Sequence, residues 1–179
     1  MHPEQQKCFY VANEWIAAFN CQLRTAFKSS ESSSALFFAK SFWRDALGLT
    51  WNLKTVIGRK KIIDALRDNS VRVGLSDIVL DHTASPPQWV KRAGTDTLEV
   101  FIKFETRDAN GRGIVRLCPE KNTAVGASEK WQWRAWTFFT SIDSLKGHEE
   151  KLGRNRPTGQ SYSRDFRGPN WLDKRLAAA

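Results

Sequence analysis

The chain has 179 residues, 41% of them hydrophobic and 12% aromatic, and a formal charge of +9. That length suits one domain with an appendage and a core that needs neither disulfide nor metal to hold it. It contains no apolar run long enough to span a bilayer and no signal-peptide pattern, so a membrane is not an expected partner. Cys8, Cys21 and Cys118 have no paired spacing and no neighbouring His, which argues against a disulfide framework or a zinc site and for reduced thiols in a cytoplasmic protein.

Along the chain, residues 4 to 28 read as an amphipathic helix, with Val11, Trp15, Phe19, Leu23 and Phe27 at four-residue steps and Ile16 beside them. The polar run "KSSESSS" ends it, and Ser34 is a candidate cap for a short second helix over "ALFFAKSFW". "RDALGLTWNLKTVIG" is extended, and "RKKIIDALRDN" is a third helix buried through Ile62, Ile63 and Leu66. "VRVGLSDIVLDHTAS" is strand-like until Pro86-Pro87 breaks it.

"TLEVFIKFET" is the clearest strand, with Leu98, Val100, Ile102 and Phe104 on one face and Glu99, Phe101, Lys103 and Glu105 on the other. Asn110-Gly111 is a hairpin-turn signal before the return strand "GIVRLCP". A loop over "EKNTAVGASE" leads into the long strand "KWQWRAWTFFTSI", and "DSLKGHEEKLG" reads as a short helix or turn. On the last strand, alternation puts Trp131, Trp133, Ala135, Thr137 and Phe139 on one face and Gln132, Arg134, Trp136, Phe138 and Thr140 on the other. Both faces carry aromatics, so both are expected to be buried, one against the core and one against a second subunit or the C-terminal tail.

Helices first and a strand meander after them define an α+β class: a curved, antiparallel-rich sheet around three N-terminal helices. The domain is expected over residues 1–150, a strap or linker over 151–175 and a vector remnant at 176–179. The strap holds +5 of the net charge, yet its Tyr162, Phe166, Trp171 and Leu172 argue against simple disorder. Because the positive surplus sits there, and the body shows neither a basic helix stripe nor a nucleic-acid motif, nucleic acid is not an expected partner.

The order of elements over roughly residues 7 to 145 resembles the nuclear transport factor 2-like superfamily, which includes ketosteroid isomerase, scytalone dehydratase and small polyketide cyclases. Four segments, "FWRDALGLTWNLKTVIGRKKI", "RGIVRLCPE", "KWQWRAWTFFTSIDSLKGHEE" and "GRNRPTGQ…GPNWLDKR", resemble the domain that precedes the flavin-binding part of certain fungal and bacterial flavin-containing monooxygenases. In those proteins a Gly-x-Gly-x-x-Gly turn follows the tail. Here it does not, so no flavin or nicotinamide cofactor is expected in this chain, and any enzyme chemistry would be cofactor-free.

The superfamily resemblance implies a deep apolar cone with one desolvated acid or base in it. Asp45 is the leading carboxylate for that role, with pairing to Arg44 or Arg59, or capping of a backbone amide, as the structural alternative. His82 and Asp81 are neighbours on a strand, so one of the two can face the cone. His148 in "GHEE" is a candidate mouth residue or a local cap. Trp43, Trp51, Trp89, Phe104, Trp136 and Phe138 are candidate walls, and Arg116 and Arg134 are either inward anion anchors or solvated surface. No His pair has metal-ligand spacing.

Two functions follow as expectations. One is an isomerase, cyclase or dehydratase acting on a hydrophobic terpenoid or polyketide intermediate of secondary metabolism. The other is a non-catalytic accessory or dimerisation domain associated with a flavoprotein. A homodimer formed through the sheet fits both.

Overall fold

The computed structural model describes residues 2–121, 131–156 and 168–177. The chain divides into two units, Met1–Glu149 and Glu150–Ala179. In the first, helix α1 (Pro3–Arg24), a short α2 (Ser30–Ser34) and helix α3 (Arg59–Val73) accompany seven strands: β1 (Phe37–Ala46), β2 (Leu53–Ile57), β3 (Val79–Leu80), β4 (Gln88–Arg92), β5 (Thr95–Glu105), β6 (Ala109–Lys121) and β7 (Trp131–Leu145). The sheet order is β2-β1-β7-β6-β5-β3, with β4 also on β5, and only the β1–β7 pair is parallel. This is the expected α+β class, with a curved, mostly antiparallel sheet against helices.

The helix expected over "ALFFAKSFW" is instead the strand β1. Ser41, Trp43 and Asp45 are buried while Phe42 and Arg44 are exposed, a period of two. Pairing on both sides, with β7 and β2, overrides a local pattern that suits either element. The strand expected over "VRVGLSDIVLDHTAS" shrinks to Val79–Leu80 because α3 continues to Val73. There Gly74, at φ 63°, ends the helix while the Leu75 amide donates back to Ser70. Strand β7 runs to Leu145, through the first residues of the expected terminal helix or turn. The expected loop after Glu120 lies mostly outside the described residues.

Asn110-Gly111 is not the hairpin turn. The chain reverses at Thr106–Ala109, where the Thr106 amide donates to Ala109 O at 2.8 Å and the Ala109 amide to Thr106 Oγ1 at 3.0 Å. Gly111 lies in the strand opposite Phe104. A Cβ there would stand 2.2 Å from the Phe104 ring, so this glycine makes room for a core aromatic. Gly113 is constrained similarly: a Cβ would come within 2.3 Å of the Phe139 carbonyl oxygen.

The interior is aromatic. Phe138 lies 5.6 Å from Phe19, 6.2 Å from both Trp15 and Phe37, and 6.3 Å from Trp43. Its aim depends on a bulge: Arg116 faces Thr137 but Leu117 faces Ala135, leaving Trp136 as the extra residue. Simple alternation would send Ala135 and Phe138 to opposite faces, yet both are buried, at 0% and 2% exposure. The expected division of β7 into two alternating sets is thereby crossed over at Trp136. Polar clamps fix the helices around this core. The Asn20 amide both donates to Ile78 O and accepts from Ile78 N–H, each at 2.9 Å, and the Trp15 indole donates to Leu36 O at 3.0 Å.

The second unit contains a 3₁₀ turn at Gly153–Asn155 and helix α4 (Trp171–Ala177). Asn170 and Asp173 cap α4 reciprocally, each side chain accepting from the other's amide, and Arg175 stacks 5.2 Å from the Trp171 ring centroid. Trp171, Leu172 and Leu176 are exposed, while Tyr162 and Phe166 lie outside the described residues.

Replacing Phe138 by Ala should cost about 3–5 kcal/mol in urea unfolding, as expected for emptying a fully buried ring site. Gly111→Ala should cost about 1–3 kcal/mol by overpacking, and Phe104→Leu in the same chain should recover part of it. An unchanged midpoint for Gly111→Ala would contradict the close approach.

Candidate functional site

Asp45 is 1% exposed. Its carboxylate accepts from the amides of Leu49 (3.0 Å) and Thr50 (2.7 Å) and from the hydroxyls of Thr50 (2.6 Å) and Thr140 (2.6 Å). Thr140 in turn accepts from the Trp43 indole at 2.8 Å. Neither Arg44 nor Arg59 pairs with Asp45: Arg44 donates to Thr55 Oγ1, and Arg59 to backbone carbonyls of Ser34 and Phe37. The carboxylate organises the β1–β2 loop, in which Leu47 and Trp51 hold left-handed φ values of 63° and 54°. Such residues are strained, and the hydrogen bonds that the loop donates to a buried anion are what hold it in that form.

Asp81 follows β3 and is also buried. It accepts from the Thr83 hydroxyl (2.6 Å) and amide (2.8 Å) and pairs with Lys103 at 2.9 Å, with Arg112 at 4.0 Å. Burial pushes its carboxyl up, but the Thr83 hydroxyl, the Lys103 ammonium and the Thr83 amide together outweigh that and hold it at about 2, below the ordinary 3.8. His82, beside it, is exposed. It lines a small cleft of about 150 Å³ with Phe9, Phe101 and Pro87, and an adjoining open groove of about 530 Å³ between α1 and residues 78–80.

The remaining candidates do not converge on one cavity. Trp43 and Phe138 are core residues, and Phe104 covers Gly111. Trp89 packs on Trp133 at 5.3 Å. Trp51 is 46% exposed on the β1–β2 loop, and Trp136 is half-buried at the bulge. Arg116 donates to buried Glu99 at 2.8 Å, and Arg134 pairs with Glu120 at 2.9 Å, so each is tied to a carboxylate of the sheet. His148 is exposed in the turn after β7, its amide donating to Leu145 O. Along the sheet, Asp45 on β1 and Asp81 after β3 are four strand spacings apart, each about 4.8 Å. Burial pushes the thiols of Cys8 and Cys118 up, while Cys21 is exposed. No helix among the described residues is long and apolar enough to cross a membrane.

The groups that decide the polar chemistry include several that sequence reasoning passed over. Thr140 and Glu99 gave no signal, since each acts through a partner across the sheet, while Thr50 and Thr83 lie only five and two residues from the aspartates they hydrogen-bond and were passed over. Asn20 did carry one, as a polar residue within the apolar stripe of α1.

With the fold and these sites in hand, comparison with family models and with curated proteins found no match. Among solved structures, the chain is similar to a nuclear transport factor 2-like superfamily protein from Salmonella enterica serovar Typhimurium, at 16% identity and a TM-score of 0.46 over 83% of this chain and 93% of that one. It is similar to a cystatin-like fold protein from Burkholderia xenovorans at 14% identity and 0.45, covering 77% and 93%. A steroid delta-isomerase from Pseudomonas aeruginosa matches at 11% identity and 0.41, covering 76% and 82%. Scores and identities at this level say nothing of this chain's chemistry.

Asp45→Ala should lower stability by about 3 kcal/mol, because it strands the buried Leu49 amide, the part-buried Thr50 amide and two hydroxyls. Arg72, which donates to Leu49 O at 2.8 Å, remains as a second tie on the loop, so the loss should stop short of unfolding. Asp81→Asn should cost about 1–3 kcal/mol at neutral pH. The depressed carboxyl contributes stability that is present above its unfolded value of 3.8 and lost as pH falls towards 2. Wild type should therefore lose stability across that window, and the Asn variant should lose less. Parallel acid limbs for the two proteins would contradict the pairing.

Proposed function

We propose that this chain is a non-catalytic accessory domain of the kind that precedes the flavin-binding part of flavin-containing monooxygenases. The observation that carries the non-catalytic part of this reading is the aromatic interior; the monooxygenase part rests on the resemblance of the four sequence segments. Trp15, Phe19, Phe37, Trp43 and Phe138 pack ring against ring in the interior, where the resemblance implies an open apolar cone. The buried carboxylates support it too: Asp45, Asp81 and Glu99 each have hydrogen-bond or ion-pair partners within the fold. A general base needs an oxygen directed at substrate, and Asp45 has both oxygens engaged by donors.

Under this reading the partners are a flavoprotein and a second copy of the chain. The outer sheet face, where Phe101, Ile114 and Phe139 lie side by side on neighbouring strands and half-buried, supplies the surface for the second copy. In size-exclusion chromatography at micromolar concentration, flavin absorbance of an added monooxygenase lacking its own N-terminal domain should move with this chain. Separate elution would remove the flavoprotein from the proposal. Saturable binding of a steroid or polyketide probe that alters Trp43 emission would remove the filled interior.

A second reading keeps acid–base chemistry of isomerase, cyclase or dehydratase type on a terpenoid or polyketide intermediate. It is favoured by His82 standing beside Asp81 in the cleft walled by Phe9 and Phe101. Turnover of an unsaturated-ketone probe that disappears in His82→Ala, with stability unchanged, would establish it. Turnover that persists in that variant would end the case for His82.

A further inference from the structure

Strand β2 ends the sheet, and among the described residues nothing pairs with its outer edge. Two hydrogen bonds bracket its ladder with β1: the Leu47 amide donates to Asn52 O, and the Gly58 amide to Ser41 O. Antiparallel pairs alternate between bonded and non-bonded. Asp45–Lys54 and Trp43–Val56 are therefore the bonded pairs, and Leu53, Thr55 and Ile57 turn their amides and carbonyls off the edge of the sheet. The Leu53 carbonyl has a long contact from Arg44, at 3.5 Å.

The side chains of the same three residues share a face with their partners Ala46, Arg44 and Phe42. Leu53 is 62% exposed and Ile57 56%, so an apolar step borders each end of the open row of backbone groups. Lys40, Arg44, Lys54 and Lys61 surround this edge, all exposed, and none makes an ion pair among the described residues. The two nearby carboxylates are committed elsewhere, Asp45 to its loop and Asp64 to Lys60 and Arg67. The first turn of α3, which holds Lys61 beside Arg59 and Lys60, has no acidic residue, at the helix end that disfavours cations; Arg59 is tied to the Ser34 and Phe37 carbonyls and Lys60 to Asp64.

We infer that the β2 edge is a docking site for an extended, acidic segment of a partner protein, which joins the sheet as an additional strand. The outward amides and carbonyls supply main-chain hydrogen bonds, Leu53 and Ile57 supply apolar contacts at alternate positions, and the cations select acidic side chains. A second copy is a poor occupant, because it would bring the same cations against themselves, and a lysine on an edge strand ordinarily prevents self-pairing. Nucleic acid or an anionic membrane would use the cations but not the row of backbone groups. The inference does not depend on whether the interior is catalytic.

The test uses the whole chain and three fluorescein-labelled peptides followed by anisotropy: alternating Glu and Val, alternating Lys and Val, and the Glu–Val peptide N-methylated at every second amide. The Glu–Val peptide should bind, and the Lys–Val peptide should not. N-methylation should weaken binding by about tenfold or more, since it removes the strand hydrogen bonds at constant charge. Thr55→Pro should do the same. The Thr55 amide lies outside the β1 ladder, so this variant should keep its thermal midpoint. Lys54→Glu with Lys61→Glu should also weaken the acidic peptide.

Absence of Glu–Val binding below about 1 mM would overturn the inference. Equal binding of the N-methylated peptide would overturn it as well, and this arm decides alone if Thr55→Pro proves unfolded. Tighter binding of duplex DNA or of phosphatidylserine vesicles, unaffected by Thr55→Pro, would overturn it in favour of those anions.

Discussion

The first unit depends on the direction in which Phe138 points. Four large rings, Trp15, Phe19, Phe37 and Trp43, meet it, and they come from α1 and β1, elements distant from β7 in sequence. One residue of slippage in a strand sends every side chain to the opposite face. The bulge at Trp136 supplies that slippage within β7 itself, so that Ala135 at one level and Phe138 at the next both face the core. Gly111 and Gly113 on the adjacent strand leave the space into which Phe104 and Ile102 extend. The ring cluster is thus set by register as much as by hydrophobic content.

The buried polar groups serve the same register. Asp45 has the burial expected of a catalytic carboxylate, but its oxygens hold the β1–β2 loop and the Thr140–Trp43 chain. Asp81 and Glu99 are engaged by Lys103 and Arg116 across neighbouring strands. Leaving such an acceptor unpaired costs far more than the pairing gains, so these contacts act as constraints on register and loop shape. The same loop that Asp45 fixes carries Leu47 and Trp51 at left-handed φ and leads directly into the open edge of β2. Order inside and exposure outside are therefore linked through one carboxylate.

Much of this was legible in the sequence. The four-residue stripe of α1 and the alternation of β5 identified two elements whose faces the structure keeps. Periodicity served there because each element packs on one side with an uninterrupted pattern. It misled at "ALFFAKSFW", where an apolar run suits a helix or a strand and the choice falls to β7 and β2 as neighbours. It misled at Asn110-Gly111, where a glycine needed for clearance imitates a turn signal. Among the site residues, a desolvated Asp45 was what the resemblance implied and the choice between Asp81 and His82 was open; the cross-sheet donors were not legible, because Thr140 and Lys103 reach these carboxylates only through strand register.

By itself, then, the sequence determined the element inventory in outline: an amphipathic first helix, a long alternating strand with its return, an α+β class and an aromatic excess that had to be buried. These follow from local period and composition, which act over a few residues. The tertiary structure alone decided which rings fill the interior, which acids are saturated and which strand edge stays open. Those outcomes depend on register between segments as far apart as Asp45 and Thr140, and a bulge of one residue is enough to reverse them.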